Sequence, residues 1–537
     1  MSQQSGRTSV PSRADIVVVG AGFAGMYLLH LLRGHGLNVV VLEQGKGVGG
    51  TWYWNRYPGA RCDIESVQYS HKFLPELEQE WDWSERYATQ PEILKYAEEI
   101  ADRLDLRRDI FFERRVSRAD WDEDEACWTV TCDSGEAVTA PFYVMATGCL
   151  SVPNVVDFPG RDLFTGPTYQ TGAWPHEEVD FTGQRVAVIG TGSSAIQSIP
   201  VIARQAKELT VFQRTPNYAV PAKNRALDDA YRAEIKERYP DLRAEQAESF
   251  TNIAGPLPQG PGSERTRAEQ WAEYERRWEA GGLMFMAAYT DMMFDRETNT
   301  CAAEFVRSKI RETVKDPATA ELLCPTNTIG AKRLCVDIGY FETYNAPHVS
   351  LVDVSKNPVS ISADGVVTGD RTYPVDTIVY ATGFDAMTGA LLRVDIRGRD
   401  GVRLSDRWAD GPRTYLGLAI HGFPNLFTVT GPASPSVFTN MIPSVEQHVE
   451  WITDCILTLR GAGQREIEAD LDAEDAWMEH NREVGAAHLR SSSASWYTGE
   501  NIAGKPVGFM PYIGGMPQYR AKCDDVVAKG YEGFRRG

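Results

Sequence analysis

Asp15-Ile-Val-Val-Val-Gly20-Ala-Gly22-Phe-Ala-Gly25 is the stretch on which the fold turns. A continuous apolar run ending in glycine marks a strand buried on both faces of a parallel sheet. Gly20 permits the tight turn, Gly22 lets phosphates approach the backbone, and Gly25 lets a helix pack on the strand. A helix is expected over 26–33 and a second strand over 37–42, ending at Glu43. Glu43 lies 18 residues past Gly25, where a carboxylate holds the ribose hydroxyls of an adenine dinucleotide. A lone glycine triplet is weak. Strand, triplet, helix, strand and acid in order are strong.

The pattern returns at Arg185-Val-Ala-Val-Ile-Gly190-Thr191-Gly192-Ser193-Ser194-Ala195, with Ala195 in the third glycine's place. The next strand, over 209–213, ends in Arg214 and Thr215 rather than in an acid. An acid there would repel a 2′-phosphate, whereas a guanidinium binds it as a fork. The first site therefore suits FAD and the second NADPH over NADH. Read blandly, Arg214 is a surface ion-pair partner. Two apolar strands end in Ala-Thr-Gly, at Ala146-Thr-Gly148 and Ala381-Thr-Gly383, which suits crossings between two dinucleotide domains.

Bulk properties narrow the class. The 537 residues exceed one ordinary core, so two or three domains are expected. A net charge of −19 argues against a nucleic-acid partner, which wants a basic footprint. No run of 18 apolar residues is present, so no membrane span is expected. Nine cysteines, none spaced Cys-x-x-Cys, fit a reducing cytoplasm and count against disulfide reductases. No metal site is expected. A monomer or small homo-oligomer is the expected state.

The expected class is α/β, with two Rossmann-like domains and a helical insertion. A disordered leader occupies 1–13. The FAD-binding domain takes 14–147 and 384–537, and the NADP-binding domain 148–222 and 331–383. The insertion over 223–330 carries charged helical patterns at 227–239, 265–280 and 302–315. Strands are expected at 110–116, 128–132 and 142–146. The segment 49–63, rich in Gly, Trp and Tyr, reads as an irregular loop over a flat ring. Its Asp63 is a candidate site carboxylate or an ordinary capping residue.

Between the glycine turns runs Phe164-Thr-Gly166-Pro-Thr-Tyr-Gln170-Thr-Gly-Ala-Trp174. With the 49–63 loop, the Gln213-Arg-Thr215 strand end, Lys332-Arg333 and Ser493-Ala-Ser-Trp496-Tyr-Thr-Gly499, it resembles the FAD- and NADPH-dependent Baeyer–Villiger monooxygenases over nearly the whole chain. That family's motif is Phe-x-Gly-x-x-x-His-x-x-x-Trp. Phe164, Gly166 and Trp174 match, and Gln170 stands where the family has histidine. Gln can bond but cannot carry a proton near neutral pH.

The resemblance implies oxygen insertion beside a ketone carbonyl to give an ester or lactone, using NADPH, O₂ and a C4a-peroxyflavin. It implies Arg333 as the catalytic cation, held by Asp63. Gln44, Thr51, Trp52, Tyr69 and Val116 would join Gly20, Gly22, Gly25, Glu43 and Asp63 around the flavin. Lys332, Arg214 and Thr215 would grip the 2′-phosphate beside Gly190–Ser194. Val437, Phe438 and Thr439 would line the substrate pocket, with Met441 and Trp496 at the cofactors; Phe438 and Met441 fit plain core packing equally well. The rivals are a flavin N- or S-monooxygenase, an uncoupled NADPH oxidase, and a non-catalytic flavin-binding protein.

Overall fold

The structure is a computed structural model describing residues 9–492 and 494–537; most of the expected 1–13 leader lies outside them. Its centre is two five-stranded, all-parallel sheets. In the first the order is Leu426–Thr428, Phe142–Met145, Ile16–Val19, Val39–Leu42, Ile110–Phe111. In the second it is Val349–Asp353, Glu208–Gln213, Arg185–Ile189, Thr377–Tyr380, Thr168–Gln170. Ile16–Val19 is buried from end to end and Arg185–Ile189 from Val186 onward, as apolar runs require of a sheet covered on both faces.

The two units repeat one device. Gly20 has φ +104° and Gly190 φ +114°, a backbone region that side chains disfavour. A Cβ on Gly20 would lie 2.6 Å from the Ala146 carbonyl oxygen, and one on Gly190 would collide with that of Ala381. Each glycine turn thus sits against the Ala-Thr-Gly end of the strand beside it. At the third position a Cβ on Gly25 would overlap the Gly20 carbonyl. The second turn has room for Ala195, which is fully buried.

After those strand ends the chain crosses between the units twice, and the crossings pair. Asn154 N–H donates to Gly383 O at 2.9 Å, Asp385 N–H to Val152 O at 2.8 Å, and Met387 N–H to Cys149 O at 2.8 Å.

Three expectations change in detail. The 110–116 run is not one strand: Ile110–Phe111 joins the first sheet, Glu113 turns with φ +57°, and Val116 opens an antiparallel sheet with Cys127–Cys132. The 49–63 segment contains one helical turn, Thr51–Trp54. The first insertion helix runs Asp229–Glu248, straight through Pro240. It packs Ile235, Tyr239 and Leu242 into the core of the first unit, while Tyr274, Phe285 and Phe305 join the core of the second. The insertion therefore holds both units together.

Candidate active site

The residues expected on the flavin side lie about the first glycine turn. Glu43, 4% exposed, accepts from Ala21 N–H at 2.8 Å and Gly45 N–H at 2.7 Å. Burial raises its pKa against the pull of those N–H groups. Each oxygen keeps a lone pair for a ribose hydroxyl. Gln44 beside it is exposed.

Gly50, with φ +52°, lies over Gly22 so closely that a Cβ there would stand 2.9 Å from the Gly22 Cα. This contact lays the Thr51–Trp54 turn across the first glycine turn. Thr51 is exposed, and Trp52 is buried with its Nε1 donating to the Tyr69 hydroxyl at 3.2 Å. Burial pushes the Tyr69 phenol well above its ordinary range. Val116 is buried at the head of its strand, in a core cluster with Val17 and Val19.

Asp63 and Arg333 meet as a two-bonded pair. Arg333 Nε donates to Asp63 Oδ2 at 2.5 Å and Nη2 to Oδ1 at 2.9 Å, while Nη1 donates to the Val437 carbonyl at 2.5 Å. Their side chains keep 25% and 19% exposure. Burial works against the guanidinium charge, and the Asp63 carboxylate outweighs it, holding Arg333 above its ordinary pKa. A guanidinium has five N–H donors. Three are committed here and two remain.

The second turn opens on a cationic corner. Arg214 and Thr215 are exposed at the end of the strand Glu208–Gln213. Thr191 Oγ1 donates to Thr215 O at 2.8 Å, clipping the turn to that end. Burial lowers the Lys332 pKa, and the neighbouring Arg214 lowers it further. Among the described residues neither cation has an acidic partner within 4.0 Å, unlike the surface ion pairs elsewhere in the chain. Gly192 and Ser193 are exposed, and a Cβ on Gly192 would meet nothing within 4 Å. Open space before a helix start with two unpaired cations nearby fits a phosphorylated dinucleotide.

The linker motif ties the second glycine turn to the first crossing. Ser194 Oγ donates to Thr171 Oγ1 at 3.0 Å, and Gln170 Nε2 donates to Asn154 O at 2.9 Å. A Cβ on Gly166 would collide with the Asp376 carbonyl. Phe164 packs beside the second sheet, and Trp174 is buried with its ring 5.2 Å from that of Tyr169.

On the pocket side, Phe438, Met441, Trp496 and Val437 meet in one apolar cluster with Tyr497 and Met510. Phe438 stacks on Tyr497 at 4.5 Å, and Trp496 lies 3.9 Å from Tyr497. Thr439, expected at the substrate pocket, has its hydroxyl turned to the protein. It is 2% exposed, and its hydroxyl is engaged with Ser436 O at 2.8 Å and Ser444 Oγ at 2.5 Å. It shapes the start of the helix Met441–Gly461. Val437 contributes its carbonyl, to Arg333, more than its buried side chain. Thr430, Ala433 and Ser436 all hold positive φ, at 56°, 62° and 43°, the concentration of backbone strain expected beside a binding site. Sequence reading missed Tyr497 and Arg490. A tyrosine next to Trp496 and a lone arginine in a Ser-rich stretch were the only signals.

Comparison with known proteins gives this site its context. The family described as "Pyridine nucleotide-disulphide oxidoreductase" matches residues 17–256. A phenazine N-monooxygenase of Lysobacter antibioticus is 42% identical over 97% of this chain and 96% of its own. A Baeyer–Villiger monooxygenase of Pseudooceanicola batsensis is 40% identical over 99% of this chain and 98% of its own. Among solved structures, an oxidised steroid monooxygenase bound to NADP is 51% identical, with a TM-score of 0.93 over 98% of this chain and 99% of that one. A protein named OTEMO, in complex with FAD and NADP, is 39% identical, with a TM-score of 0.94 over 98% of this chain and 99% of that one. With identity at this level over almost its full length, and with the arginine–aspartate pair and both glycine turns in place, the chain belongs to the Baeyer–Villiger monooxygenase family.

Proposed function

We propose that this chain oxidises a ketone to an ester or lactone, consuming one NADPH, one proton and one O₂ and releasing NADP⁺ and water. FAD, when bound, supplies the oxygen and redox chemistry, and NADPH supplies the hydride. The structure supports each cofactor through this chain's own atoms: a glycine turn too close-packed for side chains, with Glu43 behind it, and an open Gly192 corner flanked by Arg214 and Lys332.

The observation that carries the reading is the Asp63–Arg333 pair. A guanidinium fixed on two sides, with two N–H groups still available, stabilises negative charge on an oxygen without reorganising. Asp63 orients that cation and keeps it charged at any working pH. The Trp496–Tyr497–Phe438 cluster limits water at the pocket wall.

We also infer the division of labour along the chain. The paired crossings at 149–154 and 383–387 mark the passages between an FAD-binding and an NADP-binding domain. The nine cysteines are free thiols, eight of them buried, which supports a reducing cytoplasm as the setting. Among the described residues no helix is long and apolar enough to cross a membrane.

The test is reaction of the FAD-loaded protein with NADPH, air and phenylacetone, following ester by mass spectrometry and hydrogen peroxide by a coupled assay. Ester matching the NADPH consumed supports ketone oxygenation. A second reading, oxygen transfer to a heterocyclic nitrogen, is favoured by the likeness to the phenazine N-monooxygenase. It predicts N-oxide from phenazine and no ester across a ketone panel. Peroxide alone from every acceptor would leave only an oxidase.

A further inference from the structure

We propose that Arg490 is a specificity residue that selects substrates carrying an anionic group, a carboxylate being the simplest, at the end remote from the reacting carbonyl. The proposal rests on the ketone-oxygenating reading above and adds a substrate class to it.

Arg490 belongs to the short turn Leu489–Ser492 and is only partly exposed. Its Nε donates to Gly330 O at 2.6 Å, two residues before Lys332. Its guanidinium carbon lies 4.7 Å from the centre of the Phe438 ring. Phe438 follows Val437, whose carbonyl Arg333 holds, and stacks on Tyr497. Arg490 therefore stands on the pocket wall, across one aromatic ring from the Arg333 anchor.

What sets this arginine apart is the absence of a partner. Beyond the Nε bond, its two terminal nitrogens meet no protein acceptor among the described residues, and no carboxylate lies within 4.0 Å of it. By contrast the buried Arg277 bonds Glu273 and three backbone carbonyls. Burial, with Arg333 nearby and only partly offset by Tyr497, brings the Arg490 pKa down to about 10. A charge kept in such a place without a counter-ion is costly. A purely structural role would need only the one bond to Gly330 and the stacking on Phe438, which leaves both terminal nitrogens without a use. Four unused donors in a planar fork are what a carboxylate requires. A site built for such a partner discriminates strongly against substrates lacking it, because its own polar group is then left unmatched.

The experiment compares 5-oxohexanoate with its methyl ester on the FAD-loaded full chain with NADPH. The variants are Arg490→Met and Arg490→Lys. The wild type is expected to favour the carboxylate at least tenfold in kcat/KM. Arg490→Met should lower the acid-to-ester ratio at least tenfold, mostly through KM, and Arg490→Lys should restore part of it. An unchanged ratio in Arg490→Met overturns the proposal, as does a change confined to KM for NADPH. Should neither ketone be oxygenated, the ketone reading fails by itself, and binding still decides the role of Arg490. With NADP⁺ present, the Kd of 5-oxohexanoate read from flavin fluorescence should rise at least tenfold in Arg490→Met. An equal Kd in the two proteins overturns the proposal.

Discussion

Gln170 and Asn154 are joined by a 2.9 Å hydrogen bond from the glutamine amide to the asparagine carbonyl, and Thr382 Oγ1 donates to the same oxygen at 2.6 Å. One carbonyl thus receives a side chain from the linker motif and another from the second crossing. Asn154 in turn donates to Thr382 O at 3.4 Å and Asn501 O at 3.3 Å. Gln170 occupies the histidine position of the family motif and performs a brace that needs a donor but no proton exchange.

Replacing this brace should separate its two potential roles. Gln170→Ala removes one donor, worth about 1 kcal/mol, and loosens the crossing, so the peroxide formed per ester should rise several-fold. Gln170→His keeps a donor and should stay within about threefold of the wild type in coupling, by the same bond. It should also introduce a dependence on pH near the ordinary histidine value of about 6.5, absent from the wild type. Peroxide and ester measured between pH 6 and 9 check both statements. Unaltered coupling in Gln170→Ala would show the brace to be dispensable.

The Asp63–Arg333 pair predicts a graded loss. Arg333→Ala should cost on the order of 10²–10³ in ester formation, the scale for losing one preorganised charge donor. Arg333→Lys cannot reproduce the two-bonded fork and should recover little of it. Asp63→Ala leaves the fork unmatched. That should cost on the order of 1–3 kcal/mol of stability, since both groups are mostly but not wholly buried. Single-turnover ester yield and thermal melting of the FAD-loaded variants read the two effects separately. A melting temperature lowered equally in Arg333→Ala, with ester formation intact, would make the pair purely structural.

How far these features were legible depends on how local their causes are. Gly20, Gly190 and Glu43 could be read because a turn with positive φ and an adjacent carboxylate are set by residues close in sequence. Arg333 with Asp63 needed the family likeness, since 270 positions separate them. The helical pattern read over 227–239 stops just before Pro240, which lacks the N–H a helix interior uses, yet the helix runs on to Glu248. The helix continues because Arg243 is held by Glu78 at 2.8 Å and Gln246 by the Gln68 carbonyl at 3.1 Å. The thermodynamic gain of those distant contacts overrides the missing N–H. Arg490 was invisible for the same reason: its meaning lies in Gly330 and Phe438, 160 and 52 positions away.

The cationic corner predicts a dependence on pH. The Lys332 pKa is lowered, first by burial and then by Arg214, so below its ordinary value the residue starts to lose the charge that a 2′-phosphate needs. KM for NADPH should therefore rise with pH before an unperturbed lysine would titrate, and Lys332→Met should flatten that rise. Stability follows with a definite sign. Between the depressed folded value and the unfolded value near 10.4, the unfolded chain binds more protons, so the NADP-free protein gains stability as pH rises through that window. NADPH bound at the corner restores the proton and should cancel the gain. Thermal melting between pH 7 and 10, with and without NADPH, tests the sign directly.

The last prediction sets two glycines of one turn against each other. Gly190 has φ +114°, and a Cβ there would collide with the Ala381 carbonyl; Gly190→Ala should lose on the order of 1–3 kcal/mol through backbone strain alone. Gly192 has φ −78°, ordinary for any residue, and a Cβ there meets no protein atom within 4 Å. Gly192→Ala should then leave the melting temperature of the NADP-free protein nearly unchanged, since its φ and surroundings accept alanine. The added methyl would instead occupy the space through which phosphates reach the helix start. KM for NADPH should rise at least about tenfold, equivalent to 1.4 kcal/mol, with FAD content unaffected. If Gly192→Ala binds NADPH as the wild type does, the second glycine turn is not the pyrophosphate cradle, and the assignment of the NADP-binding face must move elsewhere.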